Sequence, residues 1–163
     1  MSKIDNRLEI DNSRLEVLFD ALDSKNQTRV FRKALRKSAN VLAKATKKSL
    51  RQKIGKVASH RNWWYTKTLQ SGVKVSVDKN KSLFGAEHWF AKVHIMGDFR
   101  LKFFEKGTNL RKTEKEYNRG RMKATNFFAI AKESEGIKAQ ESLRDNVAES
   151  IVVTLRKIRN KIR

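Results

Sequence analysis

The side chains in this chain best placed to do chemistry are three histidines and two carboxylates. With no cysteine among its 163 residues, disulfides, thiolate nucleophiles and cysteine-ligated zinc are excluded, which leaves His60, His88 and His94 as the only soft metal ligands. A metal centre needs three or four converging donors. His88 and His94 stand six positions apart along an expected strand, with no carboxylate in a supporting rhythm, so they read as solvated or hydrogen-bonded histidines and no metal or other cofactor is expected. Asp98 and Glu105 flank an expected hairpin strand and could approach one another, as the acids of a nuclease do. Many restriction-type nucleases set an acid two residues before a lysine on a strand, yet no Glu-x-Lys occurs anywhere. The two acids therefore read as turn and strand-edge residues. No serine sits in a Gly-x-Ser-x-Gly elbow, and the seven glycines form no phosphate-cradling loop. The expectation is a protein without enzymatic activity.

With catalysis set aside, the informative run is Phe103-Phe104-Glu105-Lys106-Gly107-Thr108: an aromatic pair, an acid and a Gly-Thr turn. A polar, basic stretch follows, then Asn126-Phe127-Phe128 opening a helical pattern. The elements that must position this run can be read from periodicity. Leu8, Leu15, Leu18, Phe19 and Leu22 recur at helical spacing over residues 7–22, and Asp23 to Asn26 ends that segment. Val30, Phe31, Ala34, Leu35, Val41, Leu42, Ala45, Leu50 and Ile54 continue to Gly55, a fitting C-terminal cap, predicting a helix of about 28 residues and roughly 42 Å. Residues 55–66 lack periodicity and hold Trp63-Trp64-Tyr65, either a plug or interface or, less in keeping with the rest, a base-stacking platform. From Leu69 to Val77 apolar residues alternate, as they do from Trp89 to Ile95, and Gly97-Asp98 reads as a turn into a third strand over Phe99 to Glu105. Residues 106–125 are too polar for a core and read as an extended arm. Helical spacing returns at Phe127-Phe128, pauses near Gly136, and resumes as Leu143, Val147, Ile151, Leu155 and Ile158.

The fold class expected is thus α+β: a long N-terminal helix and C-terminal helices packed on a small antiparallel meander, with a basic arm between sheet and C-terminal helix. One domain spans 1–163, with helical residues 7–54, sheet 68–105, arm 106–125 and helical residues 126–162. No apolar run approaches the roughly 20 residues of a spanning helix, and the first residues carry charge and no signal pattern. A soluble protein with no membrane partner is expected.

Charge is distributed unevenly. The net charge is +21, yet residues 1–23 sum to −3, and residues 24–77 hold fifteen Lys or Arg and no Asp or Glu. Residues 78–105 carry +1, 106–126 carry +5 and 127–163 carry +3. A field of that sign draws phosphate backbones or acidic protein faces, through association rate and counterion release. Residues 33–48 offer alanines rather than the bulky apolar side chains that a membrane-surface helix needs, so nucleic acid, as a direct or passing neighbour, is preferred to a membrane. Arg32, Arg36, Lys47, Lys48 and Arg51 are the bases expected to approach the nucleic acid. A solvated basic face accounts for the same pattern. So does a stand-alone nucleic-acid-binding protein.

The order of these features resembles the tail-completion, or head-tail joining, family of minor tail components in lambdoid long-tailed bacteriophages. The resemblance rests on the strand lead-in Thr66-Lys67-Thr68-Leu69-Gln70-Ser71-Gly72-Val73, the signature Phe104-Glu105-Lys106-Gly107-Thr108 and the helix opening Asn126-Phe127-Phe128, and covers roughly residues 28–160. Lys106 stands where the family has an aromatic residue, Lys67 where glycine is common and Asn126 where proline is common. The resemblance implies a structural virion protein of the neck, without a cofactor, assembled in the host cytoplasm. It implies a homo-oligomeric ring, a hexamer among the options, between head connector and tail tube or terminator, with double-stranded DNA passing through. Subunit contacts would then involve Phe103, Phe104, Glu105, Gly107, Thr108, Arg111, Arg119, Phe127 and Phe128, with Trp63 and Trp64. In the turn itself Gly107 permits a positive φ, Thr108 can cap, and Glu105 can anchor backbone amides or a base across a subunit boundary.

Overall fold

The computed structural model describes residues 12–58, 68–81 and 87–162. Two long helices dominate. Helix α1 (Asn12–Asp20) is short and leads at once into α2 (Ser24–Ile54, 31 residues), while α4 (Phe127–Ile162) runs for 36 residues. Between them lie a hairpin of β1 (Lys74–Lys81) and β2 (Glu87–His94) and the seven-residue helix α3 (Arg100–Lys106). The protein is α+β and mostly helical, with one two-stranded antiparallel sheet among the described residues.

Helix α2 begins earlier than periodicity alone predicts, because Asp23 does not merely end α1. It is the N-cap of α2, extended at φ −62° and ψ 153°, and its carbonyl accepts from Asn26 N–H and Gln27 N–H, both at 2.9 Å. An acid there also complements the helix dipole. At the other end Gly55 takes φ +64° and its N–H returns to the Arg51 carbonyl, the glycine cap expected from its position. Of the helix expected over 7–22, residues 12–20 are helical, and residues 7–11 lie outside the described residues.

Helices α2 and α4 pack antiparallel along most of their length. The pairing is fixed at one end by Val30 against Ile151 and at the other by Leu50 and Ala43 against Phe127. Between these clusters the interface is small and polar: Asn146 Nδ2 donates to Ser38 Oγ at 2.8 Å in a buried bond, and Thr46 and Thr154 hydroxyls donate to the carbonyls of Leu42 and Ser150. No buried side-chain polar atom among the described residues lacks a partner. Such a seam lets two backbones approach closely, and the Asn146–Ser38 bond, which alone of these three crosses between the helices, fixes the register. Phe19 of α1 meets Phe31 edge-on at 4.8 Å and closes the far end.

Four expectations about the elements give way. Residues Leu69–Gly72 form a 3-10 turn rather than the start of a strand, so β1 begins at Lys74. The third strand is absent: Phe99 to Glu105 lies in and before α3. Phe99, Leu101 and Phe103 do alternate, but the pair that faces inward is Leu101, fully buried, and Phe104, three residues on, packed against the same core. Phe103 and Phe99 stay exposed. A short apolar run fits either period, and the wrong one was the more regular to the eye. The pause at Gly136 does not occur, since α4 runs straight through it; a mid-helix glycine costs about 1 kcal/mol against alanine, which the long packed face of α4 absorbs. The arm, last, is not a single extended strand but a ribbon that doubles back, as described below.

The hairpin register pairs Val75 with Val93 and Val77 with Ala91. Val75, Val93 and Ile95 lie over the cluster of Leu50, Leu69, Val73, Leu101 and Phe127. Two glycines missed as a pair join this sheet end to α3. Gly97 N–H donates to Gly72 O at 3.0 Å, and a Cβ on Gly72 would stand 2.6 Å from the Asp98 Cβ and 2.8 Å from Leu101 Cδ1.

Candidate functional site

The Gly-Thr run sits where α3 ends, the arm leaves and α4 begins, and all three are tied together by backbone-directed bonds. Glu105 is in the last turn of α3. Its Oε2 accepts from Phe128 N–H at 2.8 Å and its Oε1 from Ala129 N–H at 3.1 Å, so a carboxylate 22 positions upstream caps the first turn of a 36-residue helix. Free amides and the positive end of the helix dipole favour an anion there. The amides that Glu105 anchors belong to its own chain and not to a neighbour across a subunit boundary. Both oxygens are committed, and Asp98, at the opposite end of α3, is committed too: it accepts from Arg100 Nε at 2.9 Å, Arg100 Nη2 at 2.6 Å and Arg100 N–H at 3.0 Å. The Arg100 guanidinium hydrogen-bonded to Asp98 holds its carboxyl below the usual aspartate range. Asp98 and Glu105 form no acid pair.

Gly107 follows with φ +74°. Its N–H donates to Phe103 O at 2.8 Å, and a Cβ there would lie 2.7 Å from the Met122 carbonyl oxygen and 2.9 Å from Ala124 N. Glycine is required twice over, by backbone conformation and by the returning limb of the arm. Thr108 then clamps that limb: its N–H donates to Met122 O at 3.0 Å while its hydroxyl accepts from Met122 N–H at 2.9 Å. Thr125 donates to Phe104 O from both N–H and hydroxyl, at 2.9 and 2.7 Å. Asn126 carries φ +49°, which asparagine tolerates; proline, locked near −65°, could not stand there.

Beyond the clasp the arm is a two-limbed ribbon. Arg119 N–H donates to Arg111 O at 2.7 Å, Arg111 N–H to Gly120 O at 3.1 Å and Thr113 N–H to Tyr117 O at 2.9 Å, with Lys112 opposite Asn118. The hydrogen bonds of residues 109–121 stay inside the arm. Arg111 and Arg119 are exposed at facing positions, and the turn between the limbs carries Glu114, Lys115, Glu116 and Tyr117, the last 70% exposed.

The aromatic residues separate into two roles. Phe127 is fully buried and Phe104 and Phe128 pack on the same core, so Phe127 is a core residue of its own chain and offers no exposed surface. Phe103, with Phe99 edge-on at 6.1 Å, remains on the surface. Trp63 and Trp64 lie outside the described residues.

On α2 the bases gather on one flank. At 3.6 residues per turn, Lys25, Arg29, Arg32, Lys33, Arg36, Lys37, Lys44, Lys47 and Arg51 fall within roughly 140° of the helix circumference. Lys48 is exposed and lies about 20° beyond Lys37 at the edge of the same stripe, on the flank shared with Arg32, Arg36, Lys47 and Arg51. Arg32 and Arg36 are exposed and line an open depression with Lys33 and Lys37. Among the described residues a carboxylate reaches the stripe at Lys37, which pairs with Glu149 of α4, and that ammonium holds its carboxyl below the usual glutamate range. Among the described residues no group of His, Asp or Glu is arranged to hold a metal ion, and no helix is long and apolar enough to cross a membrane. Comparisons with protein-family models, with curated proteins and with solved structures find no match to this chain.

Proposed function

We propose that this protein is a structural subunit of a ring at the neck of a long-tailed phage particle, where tail tube and head connector are joined. The observation that carries the reading is the clasped arm. A ribbon of about 18 residues leaves the body at a junction locked by Glu105, Gly107, Thr108 and Thr125, makes its hydrogen bonds within itself, and presents an exposed, polar surface away from the core. A projection with a rigid root and no task in its own fold suits holding a neighbour. The order of the motifs along the chain supports the same family of assemblies, and the basic flank of α2 fits a channel through which DNA passes without sequence readout. The chain has no enzymatic part in this reading. Phe103, Arg111 and Arg119 are its exposed contact residues, while Glu105, Gly107 and Thr108 act by holding the arm's root.

Native mass spectrometry and negative-stain imaging of the purified chain, alone and with purified tail tubes, test the reading. Closed rings, or rings formed on tube ends, are expected. A chain that neither assembles nor joins tails overturns it.

The one-sided stripe on α2 favours a second reading, a stand-alone nucleic-acid-binding protein. That reading requires sub-micromolar affinity for duplex DNA, falling with salt at a log–log slope of about −0.9 per neutralised phosphate. Weak binding indifferent to sequence leaves DNA as a neighbour of the ring.

A further inference from the structure

We propose that the tip of the arm, Glu114 to Tyr117, seats in an apolar groove between α2, β2 and α4 of a second copy of this chain. The inference rests on the ring reading and names the surface that receives the arm.

The groove has a volume of about 440 Å³ and a floor made by Leu35 and Leu42 of α2 with Phe128 and Leu143 of α4. Its third wall is Ala91, Lys92 and Val93 of β2. Successive strand residues point to opposite faces, so three in a row along one cavity place it at the strand's edge. Strand β2 pairs with β1 alone among the described residues, leaving that edge unpaired, and an unpaired edge beside an apolar floor invites another chain. The rim is basic: Lys92 and Lys132 are exposed, and no carboxylate lines the groove.

The arm is the complementary object. Its limbs carry bases, and its two acids, Glu114 and Glu116, are exposed and confined to the tip beside the exposed Tyr117. Glu116 approaches Lys112 Nζ at 3.9 Å in a solvent-exposed pair, too weak to hold it back. Lys115 stands between the two acids and leaves the tip at −1, and Tyr117 beside them offers an aromatic ring to an apolar floor rimmed by two ammonium groups. The tip does not sit in the groove of its own chain: Glu114, Glu116 and Tyr117 are exposed, and the limbs bond to each other beyond the arm's root at Glu105 and Phe128. The cross-limb bonds hold the tip away from that root, by roughly 23 Å for the seven steps from Gly107 to Glu114 at 3.3 Å each. Tip to groove is then a heterologous contact, the kind that closes rings when repeated.

The cysteine-free chain makes the test direct. Full-length Tyr117→Cys is mixed with full-length Leu42→Cys under mild oxidation, with Lys102→Cys on the exposed side of α3 as control partner. A cross-linked dimer is expected from the first mixture and not from the control. In parallel, Glu114→Lys with Glu116→Lys should raise the concentration needed for assembly by about tenfold or more, since like charges then face each other. Adding Lys92→Glu and Lys132→Glu should reverse the effect. Wild-type rings without the 117–42 cross-link, or a charge-reversed arm that assembles like wild type, overturn the docking and leave the ring standing. A wild-type chain that stays monomeric, without cross-links and with tail tubes present, overturns both.

Discussion

The clasp at the root of the arm and the basic flank of α2 differ in how many constraints act on each residue. At the clasp, Gly107 is held by its positive φ, by the Met122 carbonyl and by its own bond to Phe103, while Glu105 spends both oxygens on α4. On the flank, Arg32 and Arg36 are exposed side chains in an open depression and answer to no geometry but the turn of the helix. The same chain thus holds a region where a single methyl group matters and one where only the sum of charges does. What can be learned from a substitution differs accordingly: the first reports on folding before it reports on assembly, the second on binding alone.

The contrast breaks most visibly at the buried glycines. Gly72→Ala places a Cβ 2.6 Å from Asp98 Cβ and should lower unfolding free energy by about 3 kcal/mol, the upper end of overpacking costs, read as a fall in urea midpoint at unchanged slope. Gly107→Val should cost still more, because it adds a left-handed backbone strain of roughly 1–3 kcal/mol to a similar clash. Loss of assembly in that variant would therefore say nothing about a subunit joint unless the monomer were shown to be folded. Next comes Glu105→Ala, which removes two charge-assisted bonds to the first turn of α4 and should cost about 2 kcal/mol. Glu105→Gln keeps one acceptor oxygen and should recover about half. Equal effects of the two variants in thermal melts would mean that the carboxylate's charge alone is what matters.

Smaller effects sharpen the other side. Asn146→Ala leaves the Ser38 hydroxyl without its buried partner and should cost about 1–2 kcal/mol. Asp98 contributes through pH. Its pKa is depressed in the fold, chiefly by the side-chain hydrogen bond from Arg100, so its stabilisation is present above the unfolded carboxylate value and is lost as pH falls through the folded one. Asp98→Asn should accordingly lower stability at neutral pH, where that contribution is in force, change little in acid, and so flatten the loss of stability below about pH 4 in acid titrations followed by circular dichroism. Smallest for stability is Arg32→Glu with Arg36→Glu, expected within about 0.5 kcal/mol of wild type. Its effect belongs to DNA affinity, which should drop and lose about two to four units of salt slope. A drop in stability comparable to that of Glu105→Ala would erase the distinction between the regions.

How much of this was legible beforehand follows the range of each interaction. Helix α2, its glycine cap at Gly55 and the apolar stripe of α4 rest on contacts repeating every three or four residues, and their spacing shows in the sequence. The strand-like alternation of Phe99, Leu101 and Phe103 is equally visible and misleads, because seven residues are too few to separate the two periods and Leu101 and Phe104 share a face only once α3 has packed. Glu105 could be read as an anchor for amides, yet not for which ones, since Phe128 and Ala129 lie more than twenty positions away. Gly72 and Gly97 gave no signal as a pair; each looked like an ordinary turn or pleat residue. The receiving groove had none either, being assembled from three elements distant in the chain.

The sequence by itself determined the fold class, the long helix α2 and the helical stripe that became α4, the hairpin, the one-sided charge of residues 24–77 and the need for a special backbone at Gly107. Those are properties of residue type and local period, and a chain with no proline or cysteine leaves them little competition. Tertiary structure alone decided that α3 is a helix, that the arm doubles back on itself, that Glu105 closes the start of α4 and that Phe127 belongs to the core. Each of these depends on which distant backbone arrives within about 3 Å of a side chain, and hydrogen bonds and close packing act only at that range.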